Sequence, residues 1–246
     1  MINLLIDIGN TRTKIALYNH GVLMLRVPLD KITPGDIQLI KNEYPGIKGA
    51  ILSSVRQRQE ELVEALRISF PLFIEMNHST RIPIENCYQT PQTLGFDRIA
   101  AAVGANSLFP DTNLLVIDAG TAITFEIINA KNQYLGGNIS PGLNSRFKAL
   151  NEFTGKLPLV KPGEEVDWFG KNTEQAIRLG VQEGIINEVD GFITLFNKIF
   201  PENKVILTGG DAIFFEKKLK NSIFVEMELI EKGLNRILEY NAQSTN

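Results

Sequence analysis

Leu4-Leu5-Ile6-Asp7-Ile8-Gly9-Asn10-Thr11-Arg12-Thr13-Lys14 is an apolar run that meets an acid, turns through glycine and small polar residues, and leaves on a second apolar run, Ile15-Ala16-Leu17-Tyr18. The pattern predicts a β-hairpin with an acidic, glycine-containing tip. Gly9 lets the backbone approach a phosphate closely, Asn10, Thr11 and Thr13 offer donors, and Lys14 offers charge. Asp7 is suited to a hydrated Mg²⁺, which keeps most of its waters. An ordinary hairpin turn would use the same glycine-plus-Asn chemistry.

A second stretch repeats the first. Leu114-Leu115-Val116-Ile117-Asp118-Ala119-Gly120-Thr121-Ala122-Ile123-Thr124-Phe125-Glu126-Ile127-Ile128 again runs from apolar residues through Asp, one apolar residue and Gly to a threonine-rich tip and a second strand. Two copies of so specific a pattern argue for a duplicated fold, with halves at 1–110 and 111–246. Outward from the first copy, Val22 to Val27 reads as a third strand and Pro34 to Tyr44 as a helix. Ile47 to Val55 then reads as a buried strand, Arg56 to Phe70 as an amphipathic helix, and Leu72 to Glu75 as another strand. After the second copy, Gln133 to Leu135, Lys204 to Thr208 and Ile223 to Met227 supply the matching strands. The order predicts an α/β architecture of two mixed sheets flanked by helices.

Three further features bear on chemistry. Gly136-Gly137-Asn138-Ile139-Ser140-Pro141-Gly142 is expected to leave the third strand of the second half and open a helix, where backbone N–H groups could face an anion. Thr208-Gly209-Gly210-Asp211 ends a buried strand and starts another helix. Leu94-Gly95-Phe96-Asp97-Arg98 precedes a small-residue helix, which would make Asp97 a helix cap, a role compatible with a second one. Thr173 to Phe200 carries apolar residues on more than one face, a pattern that calls for burial against its own sheet and against a partner subunit. Leu229 to Tyr240 reads as a final amphipathic helix, and Asn241 to Asn246 as a frayed tail.

Composition removes several function classes. The 246 residues carry a formal net charge of -3, which gives no reason to expect nucleic-acid binding. A single cysteine, Cys87, rules out an intramolecular disulfide, and His20 and His78 alone supply a zinc site or a nucleophilic triad poorly. No apolar run approaches the roughly 20 residues of a membrane span, and the N-terminus does not have the pattern of a signal peptide. A cytoplasmic protein is the expectation.

Taken together, the residues carry a family resemblance. Asp7-Ile8-Gly9-Asn10-Thr11 with Lys14 resembles the first phosphate motif of the superfamily of acetate and sugar kinases, heat-shock chaperones and actin. Asp118-Ala119-Gly120-Thr121 resembles the second phosphate motif, and Leu207-Thr208-Gly209-Gly210 the adenosine motif. Within that superfamily, Tyr88, Pro91, Leu94 to Arg98, Asp118 to Thr124 and Gly136 to Gly142 are similar to type III pantothenate kinases over nearly the full length. The resemblance implies a duplicated ribonuclease H-like (actin-like ATPase) fold and ATP-dependent phosphorylation of pantothenate to 4′-phosphopantothenate, the first step of coenzyme A biosynthesis.

The same resemblance implies the roles of individual residues. Asp7, Ile8, Gly9, Asn10, Thr11, Arg12, Thr13, Lys14 and Thr121 would bind ATP, with Asp7 holding Mg²⁺ through water. Tyr88, Gly95, Phe96, Asp97 and Arg98 would bind pantothenate, Asp97 would accept the hydroxyl proton, and Arg98 suits the substrate carboxylate. Asp118 matches a ligand of a monovalent cation, K⁺ or NH₄⁺, although chemistry alone would assign it to Mg²⁺. Thr173 matches a substrate contact made across a homodimer interface, and its plainer role is a helix N-cap. The rival reading is a non-catalytic accessory factor of the same fold that influences transcription; the acceptor residues Tyr88, Asp97, Arg98 and Thr173 favour the kinase.

Overall fold

In a computed structural model that describes residues 2–164 and 167–243, both repeats form the hairpins their patterns predict. The chain runs β1 (Ile2–Ile8), β2 (Thr13–Asn19), β3 (Val22–Leu29), α1 (Pro34–Glu43), β4 (Ile47–Ser54), α2 (Glu60–Ser69), β5 (Leu72–Glu75), β6 (Glu85–Asn86) and α3 (Phe96–Leu108). It continues through β7 (Asn113–Ala119), β8 (Ala122–Ile128), β9 (Gln133–Pro141), α4 (Leu143–Phe153), α5 (Thr173–Ile199), β10 (Asn203–Thr208), α6 (Ala212–Glu216), β11 (Phe224–Val225) and α7 (Leu229–Ala242). One compact unit holds Met1–Pro110, Asn132–Tyr134 and Glu228–Asn246; the other holds Asp111–Lys131 and Leu135–Met227.

The two units repeat one topology. In the first, the strand order is β3-β2-β1-β4-β5, with β1–β2 and β2–β3 antiparallel and β4 and β5 parallel to β1. In the second sheet, the order β6-β9-β8-β7-β10-β11 has β7–β8 antiparallel, β10 and β11 parallel to β7, and the two-residue β6 added parallel to β9 at the edge. Apart from the edge strand β6, each sheet is therefore a meander joined to two crossover strands, as the duplicated sequence pattern requires. The first core centres on Leu4, Ile6, Leu17, Ile37, Leu52 and Leu66, and the second on Ile117, Phe125, Phe147, Ile185, Val189 and Leu207.

The final helix belongs to the first unit although it follows the second in sequence, so the units are not the two contiguous halves expected from sequence. Its fit against α3 is set by missing side chains: a Cβ on Gly233 would lie 1.8 Å from the Ala100 carbonyl oxygen, and one on Gly104 would lie 2.2 Å from that of Leu229. A buried polar strip runs beneath it. Arg26 Nε donates to Glu231 Oε1 at 2.7 Å, and Asn3 Nδ2 donates to Asn235 Oδ1 at 2.7 Å. Asn241 and Ala242 continue the helix rather than fraying, and residues 244–246 of the expected tail lie outside the described residues.

Two sequence expectations change. The glycines at 136 and 137 do not open a helix; β9 continues through them to Pro141, and Gly142 is the N-cap of α4. A Cβ on Gly137 would stand 1.7 Å from the Phe125 carbonyl oxygen, so this glycine exists to let two strands approach closely. The predicted helix at Arg56 begins only at Glu60, which leaves Arg56 to Gln59 as a loop. Helix α5 buries Ile177, Ile185, Ile186, Val189 and Phe196 in the core of its own unit, as its apolar pattern predicts for one face, while Leu195 and Ile199 stay exposed.

Candidate active site

The acidic end of β1 holds a charge that burial opposes. Asp7 stands opposite Lys14 in β2 and Ser53 in β4, and only 6 % of it is exposed. Asp7 Oδ1 and Ser53 Oγ are buried and have no hydrogen-bond partner among the described residues. Burial pushes the Asp7 carboxyl up to about 6; Lys14 pulls it down, and Asp97 and Glu231 push it further up. An orphaned, buried carboxylate oxygen is one that a hydrated cation would satisfy, so the residue fits Mg²⁺ held through water. Among the described residues no cluster of three or more His, Cys, Asp or Glu could hold a metal.

The tip between β1 and β2 is closed by Gly9 N–H donating to the Arg12 carbonyl at 3.0 Å. Asn10, Thr11 and Arg12 are exposed on it, Thr13 is buried, Lys14 is half-buried, and Ile8 anchors it in the core. From the loop after β4, Arg56 donates from Nε to the Gly9 carbonyl at 2.8 Å and from Nη2 to the Asn10 carbonyl at 3.0 Å. The sequence pattern did not single out Arg56. It lies 46 residues from Asn10 and reads as a polar residue in a helical first turn, so only the β1–β4 register brings it here.

The same unit carries the acceptor segment. Gly95, not Asp97, is the N-cap of α3, and Asp97 sits in its first turn with Oδ1 accepting from the Arg98 N–H at 2.8 Å. A Cβ on Gly95 would lie 2.5 Å from that Oδ1, so glycine is what lets the carboxylate fold back over the helix start. Arg98 is almost wholly buried, and its guanidinium lies 5.8 Å from the centre of the Tyr88 ring. Tyr88 is held in turn by its N–H to Asn86 Oδ1 at 3.0 Å and by the Tyr134 ring at 6.0 Å. Phe96 packs at 5.0 Å against His78. Beside these groups is a cavity of about 290 Å³, with Ile8, Leu52, Met76 and Phe96 as apolar wall and Arg56, Arg58, Glu75 and Asn77 among its polar lining.

In the second unit, Asp118, next to last in β7, stands opposite Thr208 of β10 and Thr124 of β8. Gly209 follows Thr208 with φ +96°, and a Cβ there would lie 2.3 Å from Asp118 Oδ1 and 2.4 Å from the Ala119 carbonyl oxygen. The glycine thus lets the end of β10 pack closely against the Asp118 carboxylate and the Ala119 carbonyl, which accepts from Asp211 N–H at 2.9 Å. Thr121 is exposed at the second tip, and its carbonyl accepts from Gly142 N–H at 3.0 Å and Ser145 Oγ at 2.6 Å. Thr173 is exposed at the first turn of α5 but does not cap it; Asn172 does, accepting from Gln175 N–H at 3.0 Å. The structure therefore gathers Asp7, the tip to Lys14, Tyr88 and Gly95 to Arg98 in one unit, and carries Asp118, Thr121 and Thr173 on the other.

The sequence profile of type III pantothenate kinase matches residues 3–195. A type III pantothenate kinase of Phocaeicola vulgatus is 46% identical over 98% of this chain and 99% of its own length. Among solved structures, a Campylobacter jejuni protein assigned to the Baf family of transcriptional activators superposes with a TM-score of 0.62 at 24% identity, covering 98% of this chain and 99% of that one. A ROK family glucokinase from Streptomyces griseus, in complex with glucose and AMPPNP, superposes with a TM-score of 0.53 at 11% identity, covering 99% of this chain and 100% of that one. At those identities the two structures establish the fold alone, which is that of the actin-like ATPases and sugar kinases. The chain belongs to the type III pantothenate kinase family.

Proposed function

We propose that this chain transfers the γ-phosphoryl group of ATP to the primary hydroxyl of pantothenate, giving 4′-phosphopantothenate and ADP. Its family membership supports both substrates. The observation that carries the assignment of the site is the placement, in one unit, of a buried carboxylate with an unsatisfied oxygen at the phosphate tip and a second carboxylate at a helix start beside a buried arginine.

Phosphoryl transfer asks for positioning and charge neutralisation more than for covalent chemistry. Ile8, Gly9, Asn10, Thr11, Arg12, Thr13 and Lys14 of the first tip and Thr121 of the second would hold the phosphates. Asp7 would hold Mg²⁺ through water, and Mg²⁺ bound there would supply neutralisation of phosphate charge. Asp97 accepts the proton from the pantothenate hydroxyl as the oxygen attacks phosphorus. Tyr88, Gly95, Phe96 and Arg98 orient pantothenate, with the Arg98 guanidinium suited to its carboxylate. Asp118 would hold a monovalent cation, K⁺ or NH₄⁺.

A homodimer would place Thr173 of one subunit at the acceptor site of the other. An apolar groove lined by Leu150, Phe153, Ala176, Ile177, Gly180 and Val181, with Phe153 85% exposed, supports such an interface. The helices of the described residues include none long and apolar enough to cross a membrane, and a reaction fed by ATP fits the cytoplasm.

Replacing Asp97 by Asn tests the assignment. The amide keeps the shape and removes the proton acceptor, so turnover should fall about 10²-fold or more while the affinity for a non-hydrolysable ATP analogue stays unchanged. Turnover like that of the parent chain would remove Asp97 from the role of base.

A further inference from the structure

The loop after β4 carries an arginine whose hydrogen bonds fall on the phosphate tip. Strands β1 and β4 run parallel with Ile8 opposite Ser54, and Val55 N–H extends the ladder to the Ile8 carbonyl at 3.0 Å. The ladder stops there, at the residue before Gly9. Ser54 Oγ then accepts from Arg56 N–H at 3.1 Å and lies 3.3 Å from the Arg56 carbonyl, a turn that swings the Arg56 side chain back across the tip. Nε and Nη2 of that side chain reach two successive carbonyls, those of Gly9 and Asn10.

A peptide unit is planar and trans, so its N–H points opposite to its C=O. Fixing the Gly9 and Asn10 carbonyls against the guanidinium turns the N–H groups of Asn10 and Thr11 away from it. The planar fork of arginine suits two acceptors at once, whereas a lysine ammonium is a point charge on a flexible stem. Charge matters as well. Arg58, two residues further on, is paired with Glu75 and Glu60, while the hydrogen bonds of Arg56 go to neutral carbonyl oxygens and leave its positive charge standing behind the tip.

We propose that Arg56 is a positioning residue for the ATP polyphosphate: it holds the first phosphate tip by two carbonyls, aims two backbone N–H donors outward, and adds a positive charge behind them. The inference rests on the reading that this tip binds the phosphates of ATP. Arg56 is exposed and its hydrogen bonds lie outside both hydrophobic cores, so its loss should leave the fold intact.

The test uses the full chain with Arg56→Ala and Arg56→Lys, measuring KM for ATP, KM for pantothenate, kcat and the thermal midpoint without ligands. Arg56→Ala should raise KM for ATP about tenfold, the effect of losing two charge-assisted hydrogen bonds at a pre-set loop, with KM for pantothenate and the midpoint unchanged. Arg56→Lys should fall between, and added ethylguanidinium should restore part of the ATP affinity of Arg56→Ala. An unchanged KM for ATP in Arg56→Ala would overturn the proposal. So would an equal rise of both KM values with a lowered midpoint, which would assign Arg56 to the fold. If the parent chain makes no ADP in response to pantothenate, the functional reading fails instead, and direct binding of a non-hydrolysable ATP analogue to parent and Arg56→Ala then decides on Arg56.

Discussion

Replacing Asp7 by Asn should make the metal-free protein more stable and the enzyme inactive. The Asp7 carboxyl is pushed from 3.8 up to about 6, chiefly by burial. The folded chain therefore binds this proton more tightly than the unfolded chain does. The stabilisation that protonation brings is fully present below about pH 4 and is lost as pH rises through about 6. Two pKa units at 1.36 kcal/mol each place the cost of the ionised buried acid at about 3 kcal/mol above pH 7. Asn removes that cost but buries an amide with few partners, which takes back about 1 to 2 kcal/mol. The net gain of about 1 to 2 kcal/mol corresponds to about 3 to 6 °C in a chain of this size. Thermal unfolding of both proteins in EDTA, from pH 5 to pH 8, reads this directly. The midpoint of Asp7→Asn should exceed that of the parent at pH 8, and the two should draw together toward pH 5. A difference independent of pH, or a less stable variant at pH 8, would refute the reasoning. Saturating Mg²⁺ and ATP should stabilise the parent far more than the variant, since the carboxylate that is costly alone is the one the cation needs.

Other consequences follow from the same geometry. Asp118→Ala should abolish activation by K⁺ or NH₄⁺, and the parent chain should be slow in buffer containing only Na⁺; equal rates in all three cations would remove the cation role from Asp118. Gly233→Ala should destabilise the first unit by about 1 to 3 kcal/mol, because its new methyl group would press on the Ala100 carbonyl and force α3 and α7 apart. Urea denaturation checks this, and a change below about 0.5 kcal/mol would mean that the helix contact is looser than described.

What the sequence disclosed and what it concealed have a common physical origin. An acid, a glycine and a threonine-rich tip flanked by apolar strands are a local signal, so both hairpins and the doubled strand order were legible, and Asp7 and Asp118 with them. Non-local geometry was not. Gly136 and Gly137 have the composition of a turn, but the structure uses Gly137 to bring the backbone of β9 against Phe125. Asn172 and Thr173 are both good caps, and only the hydrogen bond to Gln175 distinguishes them. Asp97 looked like the cap of α3, yet a glycine holds that position and leaves the carboxylate folded over the helix start. Arg56 and the return of α7 to the first unit depend on strand register and helix packing, neither of which a window of neighbouring residues contains.

The most direct test of the account is the stoichiometry of the reaction with purified protein, Mg²⁺ and K⁺. ADP should form from ATP only when pantothenate is present, with one phosphorylated pantothenate, observed by ³¹P NMR, for every ADP released. ADP formation that does not depend on pantothenate, or ADP without the phosphorylated product, would contradict it.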